Sequence, residues 1–380
     1  METNYSKILE KIQSIDPVAY GRNRNFLSGD VSMLSPYIAR GVISTKMVMD
    51  SLFERGYSVN QSFKFLQQLA WRDYFQRVGQ NYPELSNTNI KNDPVHMVNA
   101  GISRAILEGN TGVNAIDSGI RQLLDKGWIH NHMRMYISML HGNILNSDWK
   151  DGARWMYYYL LDADWASNDL SWQWVVGANS NKLYLANQEN INKYSGARQH
   201  NTFLDCEYDE LRSRKLTHEL LSFRQFDFPS ETELKEKLKM KYPNILDTAD
   251  SSLVLSGSVA IYTPYNLDPK WRIDVDLTRV LYISSEELKL RPMSERTLEF
   301  ILELAGNIDL DYIVWGNLEE VNFSNNVKVI VKEHPLFKFH NATVDERDWM
   351  FPEIRGYYSS FFKYWKLAEK QLRKLGYAKD

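Results

Sequence analysis

The chain holds a single cysteine, Cys206, among 380 residues. That excludes an intramolecular disulfide and a cysteine-built metal cage. Long hydrophobic runs are missing as well. No stretch approaches the roughly 20 apolar residues that span a bilayer, and the start, Met1-Glu-Thr-Asn-Tyr-Ser-Lys7, has no apolar signal segment. The expectation is a cytoplasmic protein with no membrane partner. Neither sign of charge is in excess. The net charge is −3, which excludes a globally basic nucleic-acid binder. Residues 1–200 carry 20 Lys and Arg against 18 Asp and Glu, and the remainder carries 25 against 30. A nucleic-acid partner would therefore have to be held by a local basic face of the first half. There is no Gly-x-Gly-x-x-Gly, no phosphate-loop motif, no internal repeat and no low-complexity run.

What the chain does have is a dense aromatic and polar stretch over residues 128–174. Trp149, Trp155, Trp165, Trp172 and Trp174 are interleaved there with Arg154, Asp162, Asp164 and Asn168. Large flat side chains with a few fixed polar groups suit a planar ligand with polar edges. An aromatic-rich helical core would read the same way.

Periodicity gives helices through the first half. A short one covers 5–20. Ser35-Pro36 reads as an N-cap with proline at the first helical position. The hydroxyls of Ser32 and Ser35 would add donors to a helix start that suits phosphate, although a plain capping serine is the simpler reading of a lone Ser-Pro. Residues 62–78 form an amphipathic helix on which Gln68 and Trp71 share a face. Further helices cover 113–125, 128–145 and 151–161. On the second of these, Asn131, Arg134 and Met135 fall on one side of the cylinder. A guanidinium there needs an anion, and Asp162 and Asp164 are the candidates. His130 and His132 diverge, so neither reads as a metal ligand, and no metal site is expected. Residues 201–250 look like a linker with a helix near 230–241. From 251 the pattern changes. Strands at 253–262, 280–284, 312–315 and 327–331 alternate with helices at 294–305 and 357–375, which implies a small parallel α/β layer. The fold class is mainly α, with a helical domain over 1–200 and an α/β domain over 251–380.

Several motifs then combine. They are Ser32-Met-Leu-Ser35-Pro36-Tyr37, Leu69-Ala-Trp71-Arg72-Asp73, Gly127-Trp128-Ile-His-Asn131-His-Met-Arg134-Met135, Asp148-Trp149, and Leu161-Asp162-Ala-Asp164 through Asn168 to Trp172-Gln-Trp174. In this order and spacing, residues 20–195 resemble the FAD-binding catalytic domain of the photolyase/cryptochrome superfamily. Most members place an α/β antenna domain ahead of the helical one. Here the helical part comes first, which is most similar to the inverted-topology bacterial photolyase-like subgroup called NewPHL.

The resemblance implies an FAD-dependent photolyase, active with reduced flavin, that repairs cyclobutane pyrimidine dimers, preferably in single-stranded DNA. It implies a monomer with no antenna chromophore, whose α/β domain seals the flavin pocket. Ser32 and Ser35 would bind the FAD phosphates, with Tyr20 nearby. Asn168 would sit near flavin N5. Arg134 would pair with Asp162 beside the ring system, and Asp164 would bind its polar edge or the ribose. Trp71 and Trp174 would wall the dimer pocket, with Asn131 and Met135 at its floor. Trp172 and then Trp149 would begin an electron relay. This chain departs from the family in three places. Gln68 stands where a glutamate is usual, so an acidic proton is lost. The third relay tryptophan has no counterpart, its place falling near His96. The segment after Trp174 does not match. Rival readings are a cryptochrome-like light sensor without repair activity, a helical DNA-binding module that has lost flavin, and a photolyase for the (6-4) lesion, for which His130 and His132 are the candidate histidines.

Overall fold

The structure, a computed structural model, describes residues 1–247 and 253–374. In chain order the helices are α1 (Tyr5–Gln13), α2 (Pro17–Asn23), α3 (Ser35–Ala39), α4 (Thr45–Glu54), α5 (Val59–Asn81), α6 (Arg104–Glu108), α7 (Asn114–Lys126), α8 (Asn131–Met139), α9 (Trp149–Tyr159), α10 (Trp165–Val175), α11 (Gln188–Ser195), α12 (Glu231–Lys241), α13 (Ser285–Leu290), α14 (Glu295–Ala305) and α15 (Phe361–Lys374). They belong to two compact units. One comprises residues 19–31 and 84–228, and the other residues 1–18, 32–83 and 229–380.

The first unit is helical and built on α6–α11. Its one pair of strands, β1 (Ile102–Ser103) and β2 (Phe223–Arg224), runs antiparallel. Residues 128–145 are not one regular helix. His130 caps α8, its ring nitrogen accepting from the His132 N–H at 3.1 Å. After Met139 the chain opens into a π turn over Leu140–Ile144. Such turns are uncommon and break the ordinary ladder of a helix locally. Asp148 and Asp164 cap α9 and α10 by accepting from Lys150 and Ser167 N–H groups at 3.0 and 2.8 Å.

The second unit joins a parallel sheet to the N-terminal helices. Its strands are β3 (Ile245–Asp247), β4 (Val254–Leu255), β5 (Ser258–Tyr262), β6 (Thr278–Ser284), β7 (Tyr312–Gly316), β8 (Asn322–Phe323), β9 (Lys328–Lys332) and β10 (Thr343–Asp345). Six of them form one all-parallel sheet in the order β10-β9-β5-β6-β7-β3, with Val259 opposite Val329 and Ile261 opposite Val280. Val259–Tyr262 and Val280–Ser284 are buried without interruption, as expected for parallel strands covered on both faces. The expected parallel α/β layer is present.

The expected division at 200 and 250 needs correction. Residues 201–228 pack with the helical unit, while α12 and β3 belong to the α/β unit, β3 pairing with β7 through Ile245 and Ile313. The expected 250/251 boundary, like Leu375 at the end of the last expected helix, lies outside the described residues. Helices α1 and α3–α5 also group with the α/β layer. The reason is burial. Helix α5 must cover a long apolar face, and it does so partly against the segment around 350–365. The Asp73 carboxylate accepts from the Met350 N–H and the Thr45 hydroxyl, both at 2.7 Å. Tyr74 donates to the Tyr358 carbonyl at 3.0 Å and Arg77 to the Phe351 carbonyl at 3.3 Å. A second correction concerns Ser35. It is the first residue of α3 rather than its cap. Leu34 holds the cap position with no side-chain bond.

Candidate functional site

In the helical unit the pattern on α8 holds. Met133, Tyr136 and Ile137 are buried, whereas Asn131, Arg134 and Met135 lie on the open side. Asn131 Nδ2 donates to Met135 Sδ at 3.6 Å. Arg134 Nη2 donates to both carboxylate oxygens of Asp162, at 3.0 and 2.8 Å, and its Nε and Nη2 also reach the Ile129 carbonyl at 3.2 Å. Of the two candidate aspartates Asp162 takes the guanidinium, because the Asp164 side chain caps α10. One helical turn on, Asn168 Nδ2 donates to the Ala153 carbonyl and to Asp169 Oδ1, each at 3.0 Å. Among the described residues no hydrogen bond reaches its Oδ1, which leaves that oxygen to accept from an N–H donor.

Helix α10 has one open face, formed by Ser167, Asn168, Ser171 and Trp174. Asn168 and Trp174 are six residues apart on it, about 9 Å along the axis. Trp174 is 44% exposed, its ring 5.9 Å from Tyr184. Trp172 is buried on the opposite side. Its ring fills the space at Gly152, where an added Cβ would lie 2.5 Å from it, and meets His141 edge-on at 5.6 Å. Trp149 precedes Gly152 by one turn, is buried, and donates from Nε1 to Asn89 Oδ1 at 2.9 Å. The two expected relay tryptophans thus lie against the first two turns of α9. His96 is bonded to Asn143 at 3.3 Å.

His130 and His132 serve the backbone. His130 Nε2 bonds the Arg24 carbonyl at 3.0 Å and His132 Nδ1 bonds the Asn25 carbonyl, which ties residues 24–25 to the start of α8. Tyr20 lies in the same short segment, half-buried, and burial pushes its hydroxyl up to about 12. Burial, helped by the neighbouring His132, lowers His130 to about 4. A histidine held neutral in the fold contributes stability above its unfolded value of about 6.5, and this is lost as pH falls toward 4. The protein is therefore expected to be about 2 kcal/mol less stable near pH 5 than near pH 7.5 through His130 alone. Denaturant titrations of wild type and His130→Gln at both pH values check this. An equal pH dependence in the two proteins would refute it.

In the other unit Ser32 and Ser35 flank an unusual turn. Met33 holds φ at 51°, in the left-handed region, and Leu34 follows in the right-handed one. Successive residues of opposite hand turn their N–H groups to one side, a concavity that accepts anions. Ser32 Oγ accepts from the Leu34 N–H at 3.4 Å, and Arg72 Nη2 donates to the Ser35 carbonyl at 3.3 Å. On α5 the exposed and half-buried line runs Lys64, Gln68, Trp71, Phe75. One face of Trp71 is already covered, since Phe361 stacks on it at 3.8 Å and 9°. Phe361 lies 290 residues away, and no local pattern announces it.

The segment 65–251 matches the family described as the FAD binding domain of DNA photolyase. Over that segment the chain is similar to the photolyase/cryptochrome superfamily. The Streptomyces griseus deoxyribodipyrimidine photo-lyase is 35% identical over 162 residues, 42% of this chain and 35% of that one. The protein of the same name from Buchnera aphidicola subsp. Acyrthosiphon pisum is 27% identical over 240 residues, 59% of this chain and 48% of that one. A solved bacterial class III photolyase from Agrobacterium tumefaciens aligns with 29% identity and a TM-score of 0.45, over 51% of this chain and 42% of that one. The chain thus spans between a third and a half of the length of these relatives. Gln68, Trp71, Asn131, Arg134, Met135, Trp149, Asp162, Asp164, Asn168, Trp172 and Trp174 all lie inside the matched segment, and Tyr20, Ser32 and Ser35 lie before it. The residues present fit FAD. In the helical unit the Asn168 carboxamide suits an N–H edge and the fixed Arg134 charge suits an anionic ring, and in the other unit the Met33-Leu34 turn by itself suits an anion. Among the described residues no helix is long and apolar enough to cross a membrane.

Proposed function

We propose that this protein is a light-driven DNA photolyase that splits cyclobutane pyrimidine dimers, preferably in single-stranded DNA, acting as a monomer with FAD as its one chromophore. The observation that carries this reading is the open face of α10. It presents Asn168, which suits a flavin edge, and six residues later the 44% exposed Trp174, which suits a flipped base. A light sensor without repair activity has no use for an exposed stacking platform beside its cofactor residue. The helical-module rival without flavin is disfavoured by the open Asn168 acceptor and the fixed Arg134–Asp162 pair.

In this reading Tyr20, Arg134, Asp162, Asp164 and Asn168 of the helical unit hold and orient the cofactor, and for Ser32 and Ser35, in the other unit, the phosphate-binding role rests on the family resemblance alone. Bound FAD would supply the light-driven electron. Trp174 stacks on a base of the lesion, and for Trp71, in the other unit, the same role rests on the family resemblance alone. Asn131 and Met135 line the surroundings of that base, and Gln68, in the other unit, can offer hydrogen bonds without an acidic proton. Trp172 and Trp149 relay electrons to the site. The histidine arrangement favours the cyclobutane lesion over the (6-4) lesion, because both His130 nitrogens are taken by backbone groups and Nδ1 of His132 is as well.

The test is illumination of reduced protein with oligonucleotides carrying one dimer, single-stranded and duplex, at matched salt. Single strands should be repaired faster, because extruding a paired base costs a few kcal/mol. Trp174→Ala should weaken dimer binding about 5- to 150-fold, since base–aromatic stacking is worth roughly 1–3 kcal/mol. No restoration of thymines in either substrate would end the photolyase reading. Equal rates on both would end the strand preference.

A further inference from the structure

Helix α15 carries five Lys and Arg against one Glu, inside the half of the chain whose net charge is negative. Its apolar side is largely used. Phe361, Tyr364, Trp365, Ala368 and Leu372 are buried, with Trp365 edge-on to Phe63 of α5 at 5.6 Å and Phe361 stacked on Trp71. The side turned outward carries Phe362, Leu367 and four cations, Lys363, Lys366, Lys370 and Arg373, all exposed, and the exposed Lys374 ends the helix. Among the described residues none of these four cations has a carboxylate partner, and Lys363 donates to the Ser359 hydroxyl at 2.9 Å. The single acid, Glu369, accepts from Trp365 Nε1 at 3.1 Å on the same helix.

We propose that the outward face of α15 is a phosphate track for single-stranded nucleic acid. The spacing fits. Positions 363, 366, 370 and 373 fall on one side of the cylinder and span about 15 Å of axis. A strand carries one charge per about 3.4 Å in duplex geometry, so the row matches four or so successive phosphates. The row also begins at an aromatic platform. Phe362 is 69% exposed and Tyr357 is 38% exposed, and sequence-tolerant stacking on such rings is how single strands are gripped alongside their backbone. An anionic membrane is the other polyanionic surface a basic helix could meet. A helix that lies in an interface must offer it an apolar face, and most of the apolar face of α15 is packed inside the protein, with Phe362 and Leu367 left exposed among the cations. The track gives a protein of net charge −3 a local field that draws in a polyanion. That the strand is DNA carrying a lesion rests on the photolyase reading. The track itself does not.

The experiment uses the full chain in the dark with a fluorescent, undamaged oligothymidylate over a salt series. The triple variant Lys363→Ala/Lys366→Ala/Lys370→Ala should bind 10- to 100-fold more weakly at about 0.1 M salt. Its log–log salt slope should fall by about 2, at roughly 0.7 per single-strand phosphate contact. Phe362→Ala should weaken binding about 5- to 150-fold and leave the slope at the wild-type value. Because these side chains are exposed, melting temperatures should stay at wild type, which separates lost binding from lost folding. A triple variant with wild-type affinity and slope overturns the proposal. So does one that keeps its DNA binding but loses binding to phosphatidylserine vesicles. Since no lesion and no light are involved, a wild-type protein that repairs nothing while its dark binding depends on these lysines would end the photolyase reading and leave the track standing.

Discussion

Deleting residues 361–380 is expected to leave a chain that no longer folds its α/β unit. Phe361, Tyr364, Trp365 and Leu372 are each at most 4% exposed. Burying a side chain of this kind stabilises by roughly 1.5–3 kcal/mol, so the four contribute on the order of 6–12 kcal/mol, comparable to the ~5–15 kcal/mol that holds a whole domain together. The deletion also uncovers Phe63, Trp71 and Tyr74 on α5. The expected result is aggregation on expression, and in the soluble remainder a protease-resistant fragment centred on 84–228. A soluble deletion variant that melts cooperatively at the wild-type temperature would contradict this account.

Asp162→Ala should be the most damaging single change at the proposed flavin site. The Asp162 side chain is 3% exposed and that of Arg134 24% exposed. Breaking a buried pair by removing one partner costs about 3–5 kcal/mol. Arg134 keeps the Ile129 carbonyl and some access to water, which places the cost near the lower end, about 3 kcal/mol. Flavin retention should fall with it, because the guanidinium is then no longer held in one direction. Melting and flavin absorbance of the variant, compared with Arg134→Ala and the double variant, give the coupling directly. If the three variants were additive and flavin content unchanged, the pair would have no role in the site.

The sequence made some of this visible and hid the rest for physical reasons. A guanidinium on a helix face demanded an anion, which narrowed its partner to Asp162 or Asp164. Choosing between them required knowing that Asp164 would spend its carboxylate on the Ser167 N–H. The strands β5, β6, β7 and β9 were legible as apolar runs, whereas β3 is three residues long and has no period to read. Helix α13 was missed although Ser284-Ser-Glu-Glu287 is a capping signature, and the Ser284 hydroxyl does accept from the Glu287 N–H at 3.2 Å. Ser35-Pro36 misled because the left-handed Met33 lets α3 begin one residue early. The amphipathic pattern of α5 said that a face is buried but not against what. The Trp71–Phe361 stack is a contact between distant parts of the chain, which the sequence pattern around Trp71 does not reveal.

The two units are interleaved along the chain, and this has a consequence for how the molecule is made. The chain enters the helical unit at 19, leaves it at 32, returns at 84 and leaves again at 229. During synthesis from the N-terminus, the helical unit has all its residues once 228 has emerged and can close on itself early. Helix α5 is finished by residue 81, yet the helix that covers Trp71 begins only at 361. Until then its aromatic face waits in water, with some 280 residues still to be added. Contacts of such long sequence separation form late, and exposed apolar surface in the interval invites aggregation. Slowing translation after residue 228 should therefore lower the soluble yield of the α/β unit while leaving the helical unit intact.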